Sequence, residues 1–327
     1  MHSGRKRFFL ATLPGSQRAT AGGFAGFLNI LRGRRLPDVG LVLSLVRRDY
    51  AVQFAGTALG IVWVLAQYIF QIGIFFLIFG VILPQSPAAA AAGSGKLEAF
   101  TAGQADYLSY LLGGMCLWLP LSEMLLRSCS ILADNRGLIR RTGLGLRGFL
   151  WVPVFEGLIH YALIFALVAG VGLVRGVLSP YFLLAFGWGA CVIVAFSGWA
   201  FIFARISILL KDVSPLMRLV FQIAFWLTPI VYVVGLEWMR IFAWNPITGI
   251  LEAHRRLMFA GAPGGSGSYG GFADLTAAGE SIAALFVHLP GGSMFGIWSG
   301  VVCLVALSVP AYLLSARRLN SLVVDQL

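Results

Sequence analysis

The sequence predicts an all-α integral membrane protein: six transmembrane helices, an N-terminal amphipathic interface helix, and re-entrant outer helices before the last span. Three observations carry this. Of 327 residues, 59% are hydrophobic and 11% charged, with a mean hydropathy of +0.86, whereas a soluble domain carries roughly 25% charged residues. Six mostly apolar segments each reach the roughly 20 residues that a helix needs to cross hydrocarbon. Finally, the Lys and Arg residues fall unevenly between alternate connections, as the positive-inside rule requires of a spanning chain. Helices are the open-chain solution in lipid, because each backbone amide must be satisfied internally.

Residues 1–36 form a basic tail, and the apolar run from Phe8 to Leu13 is too short for the core of a signal peptide. The interface helix follows at 37–50, with Pro37 and Asp38 placed to start it. Its length is too short to cross, so it lies in the membrane interface; the alternative is an extension of the first span. The six-span domain covers 51–316, with spans near 56–83, 107–131, 149–174, 180–204, 217–235 and 294–315. Between the last two lies an outer segment, 236–293. Its first part, "LEWMRIFAWNPITGILEAHRRLMFAG", is too interrupted for either half to span and reads as two short re-entrant helices broken at Asn245-Pro246. The glycine-rich "GAPGGSGSYGG" comes next, and residues 317–327 form a C-terminal tail.

With the N-terminus placed inside, nineteen of the 24 Lys and Arg residues lie on inside segments and five outside, which puts both termini in the cytoplasm. The net charge of +11 therefore sits at span ends rather than on one face, which excludes a nucleic-acid partner. Arg47 and Arg48 hold the entry of the first span against anionic headgroups. They also stand where a lipid pyrophosphate could be met by charge-assisted hydrogen bonds, and the sequence leaves both roles open. The four cysteines show no C-x-x-C spacing, so no disulfide framework or metal site is expected.

Enzymatic motifs are absent from the sequence. "GSGK" at 93–96 lacks the glycine at Ala90 and the hydroxyl at Leu97 that a phosphate loop needs. The chain is expected to be a permease, not an enzyme, with no cofactor of its own. Two charged pairs lie inside spans. Glu123 and Arg127, at i, i+4, predict a structural pair along one helix. Glu156 and His160 have the same spacing and read as a packing contact, with a proton relay as the alternative. Two stripes of aromatic and polar residues occupy helix faces: Tyr68, Gln71, Phe75 and Phe79 in the first span, and Phe221, Phe225, Thr228 and Tyr232 in the fifth. Such faces suit sugar rings, which stack on aromatics while hydroxyls find the polar groups; lipid contact or helix packing is the plainer alternative for each.

Several stretches resemble one family. "LVRRDYAVQFAGTALGIVWVLAQ", with its G-x-x-W from Gly60 to Trp63, resembles the entry to the first span in permeases of the type 2 ABC exporter class. The relevant branch exports O-antigen, teichoic acid and capsular polysaccharide. "LADNRGLIRRTG" resembles that family's cytoplasmic loop, "LLKDVSPLMRLVFQIAFWLTPIVY" its approach to the fifth span, and "WNPITGILEAHRRLMF" its outer re-entrant segment. The chain departs from the family at Tyr68, where proline is usual, at Gly145-Leu146-Arg147, where Phe-Pro is favoured, and in its longer insert at 261–292.

The resemblance implies a homodimer in a bacterial inner membrane, with two copies of a separate cytoplasmic ATPase that bind the ATP and Mg. The cargo would be a polysaccharide on a polyprenyl pyrophosphate. Asn135, Arg136, Leu138, Ile139, Arg140 and Arg141 would dock the ATPase, the aromatic stripes would line the channel, and Asn245, Pro246, Glu252 and Arg255 would belong to the outer gate. A small-molecule or lipid exporter of the same class, or a secondary transporter, are the alternatives.

Overall fold

The computed structural model describes residues 39–83, 97–142, 146–232, 245–259 and Ser308. Among them every regular element is helical. In chain order these are α1 (Val39–Gln53), α2 (Val62–Phe76, prolonged by a π-helical stretch Leu77–Ile82), α3 (Leu97–Asp134) and α4 (Arg136–Thr142). They are followed by α5 (Leu146–Val174), α6 (Phe182–Leu209), α7 (Val213–Leu227) and α8 (Pro246–Phe259). Four stretches are long and apolar enough to cross a membrane: Val62–Ile82, Tyr107–Asp134, Gly148–Val174 and Phe182–Leu209. The chain is an all-α multi-pass membrane protein. The expected last span at 294–315 (Ser308 apart), the tails, the first half of the outer segment and the glycine-rich insert lie outside the described residues.

α3 is the centre of the bundle and touches α2, α4, α5, α6, α7 and α8. Its spanning window is 78% buried, against 17% for α2, which therefore sits at the periphery. Between apolar helices in lipid, close approach rather than burial supplies the attraction, so small residues mark the tight crossings. A Cβ on Gly157 of α5 would lie 2.9 Å from Met124 of α3, and one on Gly189 of α6 would fall on the ring of Tyr161 of α5. Tyr161 is fully buried there, and its hydroxyl donates to Ala185 O on α6 at 2.9 Å.

Two expectations change. The interface helix ends at Gln53 rather than at residue 50, and it is not an extension of the first span. A turn at 54–61 separates them, with Gly56 at φ 76° and Gly60 at φ 53°, the left-handed region that glycine enters without steric cost. The Thr57 hydroxyl accepts the Gly60 amide at 3.2 Å and closes the elbow. The first span therefore begins at Val62, not at residue 56.

The fifth apolar segment is the second change. It forms a helix of 15 residues ending at Leu227, where an extent to residue 235 was expected. At ~1.5 Å per residue this helix is too short to cross the ~30 Å of hydrocarbon. The cause is Pro229, which disfavours the helical conformation in the residue before it. Thr228 is extended, at φ −112° and ψ 131°, and Ile230 and Val231 continue as buried non-helical chain.

Candidate functional site

The first site lies at the end of the bundle that carries α1 and α4. α1 buries Val42, Leu45 and Val46, with Leu41 and Leu45 against Gly148 of α5. This packing delivers the last charged residues of α1 to the ends of α3 and α5. Asp49 accepts a hydrogen bond from Arg127 Nη2 at 2.6 Å, and Arg127 Nη1 donates to Asp134 at 2.6 Å and to the Ser130 hydroxyl at 2.8 Å. Arg127 Nε stands 3.8 Å from Glu156 Oε2 on α5. Three carboxylates from three helices thus converge on one guanidinium.

One turn deeper, Glu123 accepts the Tyr68 hydroxyl of α2, and His160 Nδ1 lies 3.2 Å from the same carboxylate. The Tyr50 ring of α1 lies 5.9 Å from the His160 ring. α1, α2, α3 and α5 are therefore joined through one buried polar junction.

This corrects the reading of the two charged pairs. Neither pair forms within itself: Glu123 meets His160 across helices, and Arg127 meets Asp49 and Glu156 across helices and Asp134 along α3. Tyr68 is likewise removed from the channel stripe; it is buried in the junction. Four side-chain atoms of the junction, Arg127 Nε, Glu156 Oε1, His160 Nε2 and the Tyr50 hydroxyl, are buried without a hydrogen-bond partner of their own, while Glu156 also has a side-chain hydrogen bond with Asp49.

Next to the junction, Arg48 Nη1 donates to Asn135 Oδ1 at 3.2 Å, so α1 is tied to the residue that opens α4. α4 realises a short helix in the loop expected to dock an ATPase. Arg136 and Gly137 are exposed and Leu138 half-buried, while Asn135 and Ile139 face inward at 9% exposure each. The outward face of the loop is therefore Arg136 and Gly137, with Arg140 and Arg141 further along the same helix. Of the two pyrophosphate candidates, Arg47 is exposed and Arg48 has the Asn135 contact.

The second site is at the opposite end, where α8 docks on α3. Asn245 caps α8: its Oδ1 accepts the Ile247 amide at 3.0 Å, and Pro246 takes the first helical position, where its missing N–H costs nothing. The Asn245 Nδ2 donates to the Thr228 hydroxyl at 2.8 Å. Thr228 is fully buried in this contact and lies beyond the end of α7, as does Tyr232. Neither shares a helical face with Phe221 and Phe225, contrary to the expected stripe.

Arg255 is the main anchor of α8. It is 7% exposed, and its guanidinium donates to Tyr110 O at 3.1 Å, Pro229 O at 2.9 Å and Ile230 O at 3.1 Å. It stacks 3.7 Å above the Tyr110 ring and lies 3.6 Å from Glu252. Space for it is made by Gly113 and Gly114: a Cβ on Gly113 would lie 2.9 Å from Arg255 Cγ, and one on Gly114 would meet the guanidinium itself. Beside it, His254 Nδ1 is 2.9 Å from Gly113 O and Nε2 is 3.0 Å from the Tyr161 hydroxyl. Sequence reading placed Arg255 in this region but missed Gly113, Gly114, Tyr110 and Tyr161; two adjacent glycines amid large apolar residues were the available signal.

Between the two ends, the structure brings Phe75 of α2 against Phe225 of α7, ring centroids 5.2 Å apart, with Phe79 6.4 Å from Phe75 and Trp226 5.4 Å from Phe225. Phe221 is half-buried and Gln71 exposed. The two stripes meet in direct contact within one chain.

No family model matches the chain. Among characterised proteins, it is similar to the O-antigen export system permease protein RfbA of Myxococcus xanthus. The two are 19% identical over 226 residues, covering 67% of this chain and 80% of the relative. The match and the all-helical membrane fold agree with the resemblance read from the sequence.

Proposed function

We propose that this chain is the transmembrane subunit of an ABC exporter in a bacterial inner membrane, moving a polysaccharide linked to polyprenyl pyrophosphate outward. The observation that carries this reading is the distant relationship to an O-antigen export permease across most of that relative's length. Two copies of the chain enclose the path, and two copies of a separate ATPase supply the ATP and Mg chemistry. Both termini are cytoplasmic, which puts α1, α4 and the charged junction on the ATPase side and α8 on the outer side. The ATPases press on α4 as they close over ATP. The Arg48–Asn135 contact then shares that load with α1, and Arg47 stands on the same helix to meet the lipid pyrophosphate.

The experiment that tests the partnership is co-purification of the permease with the ATPase encoded beside it. Arg136→Glu places an opposite charge on the exposed face of α4 and is expected to abolish co-purification while leaving the permease folded. Ile139→Asp buries a charge and is expected to lower permease stability itself, by more than about 2 kcal/mol. An Arg136→Glu complex that survives purification intact would move the dock off α4.

A further inference from the structure

α2 and α7 run in the same direction along α3. α2 is antiparallel to α3, since Tyr68 reaches Glu123 and, farther along, Phe76 stacks on Tyr107. α7 is antiparallel to it as well, with Phe225 beside Trp118 and, past the end of the helix, Val231 O accepting the Tyr107 hydroxyl. The exposed side chains of α2 are apolar or aromatic apart from the amides of Gln67 and Gln71, and those of α7 apart from Arg218 and Gln222. Each pair is spaced i, i+4 and so forms one stripe on its helix. Phe75 fixes the register of the two stripes, its ring lying 5.2 Å from that of Phe225 and 6.4 Å from that of Trp226. Gln71 and Gln222 lie one helical turn, about 5.4 Å, before these rings, and Gln67 and Arg218 a second turn before them. The four polar side chains therefore fall on two matched levels of neighbouring helices, under a roof of rings.

A guanidinium and three amides are costly against hydrocarbon, and no ion pair among the described residues uses Arg218. Arginine offers five donors and no acceptor, whereas each glutamine offers two donors and a carbonyl. The level of Arg218 and Gln67 therefore suits an anion, and the level of Gln71 and Gln222 suits hydroxyl groups that both donate and accept. We propose that the strip between α2 and α7 is the loading site for the headgroup of the lipid-linked cargo. Arg218 and Gln67 hold the pyrophosphate, Gln71 and Gln222 hold the hydroxyls of the first sugar, and Phe75 and Trp226 cover that sugar's C–H face. The order of cation, amides and rings along the strip matches the order of pyrophosphate and sugar in the cargo. This deepens the export reading and rests on it for the identity of the ligand.

The test is equilibrium binding of radiolabelled farnesyl pyrophosphate to the full-length permease in phosphatidylcholine nanodiscs. Arg218→Gln is expected to weaken binding about tenfold or more, the factor that corresponds to one charge-assisted hydrogen bond. Gln67→Leu is expected to weaken it about threefold to tenfold. That variant puts an apolar side chain on an exposed face of an apolar helix, so it decides the question even if Arg218→Gln does not fold. Lys211→Gln removes another exposed cation just before α7 and is expected to change binding less than twofold. Farnesyl pyrophosphate carrying one hexose should bind about threefold tighter than the bare probe, and Gln222→Leu should erase that gain. Wild-type affinity in both Arg218→Gln and Gln67→Leu would mean that Arg218 only extends its charge to the interface, and would overturn the site. Equal weakening by Lys211→Gln, or displacement of the probe by phosphatidylglycerol added to the nanodisc, would assign the effect to general anion attraction and also overturn it. A hexose that adds nothing would remove the sugar level. Any of these results in a wild-type chain that binds the probe leaves the export reading standing. A wild-type chain that takes no probe overturns the site, and the export reading is then decided by whether lipid-linked polymer accumulates in cells lacking the chain.

Discussion

Replacing Arg255 by alanine is expected to release α8 from the bundle and to lower the stability of the purified permease by about 3 kcal/mol or more. The estimate follows from the cost of orphaning buried carbonyls, roughly 1–3 kcal/mol each, with loss of the cation–π contact added. Ile230 O loses its guanidinium donor; Pro229 O keeps the Tyr110 hydroxyl at 2.8 Å. Arg255→Lys should recover little, because a single ammonium cannot reproduce the fork that reaches the Tyr110 and Pro229 carbonyls together. Gly113→Ala approaches the same contact from α3. Its added carbon would lie 2.9 Å from Arg255 Cγ and 3.3 Å from Arg255 Cα, so α8 must retreat, at a cost of about 1–3 kcal/mol. Thermal unfolding in detergent checks both; an unshifted midpoint in Arg255→Ala would mean that α8 is held by something else.

The second large effect is expected at the aromatic contact. Phe225→Ala removes ring contacts to Phe75, Trp118 and Trp226, each worth roughly 0.5–1.5 kcal/mol. In lipid there is no further hydrophobic gain between helices to lose, so the protein should still accumulate. Under the proposed export of a polysaccharide, in which these rings would be the weak, repeated contacts for sugar faces, export is nevertheless expected to fall severely in Phe225→Ala and in Phe75→Ala. The contact geometry adds a conformational condition. Gln71 is exposed while Phe225 is 8% exposed. With the four native cysteines replaced, a cysteine at 71 should therefore react with a water-soluble thiol reagent at rest, and one at 225 only while the ATPase cycles. A cysteine at 225 that stays inert during cycling would make the stripe a packing surface.

Much of this architecture was legible in the residues themselves. The long apolar runs locate α2, α3, α5 and α6, and the basic loop after the second span locates α4. Hydropathy cannot see where helical hydrogen bonding stops, however. The apolar run through Tyr232 hid the end of α7, although Thr228-Pro229 carried the signal. The junction was half visible: the spacings of Glu123 with Arg127 and of Glu156 with His160 flagged the right side chains. Their cross-pairing depends on how α3 and α5 rotate against each other, which no local pattern encodes. Asp49 and Tyr68 lie far from these residues in sequence and join them only through the packing of α1 and α2. Tyr68 was misplaced for that reason, since it shares a helical face with Phe75 and still turns to Glu123.

The central claim is that this chain carries a lipid-linked polysaccharide outward, and the most direct measurement is the fate of that polymer in cells lacking the chain. The account predicts loss of surface polysaccharide together with build-up of polyprenyl-pyrophosphate-linked polymer at the inner face of the inner membrane. The wild-type chain should reverse both, and the Arg136→Glu variant neither. Unchanged surface polysaccharide with no accumulated lipid-linked polymer would contradict it and leave a small molecule or a free lipid as the cargo.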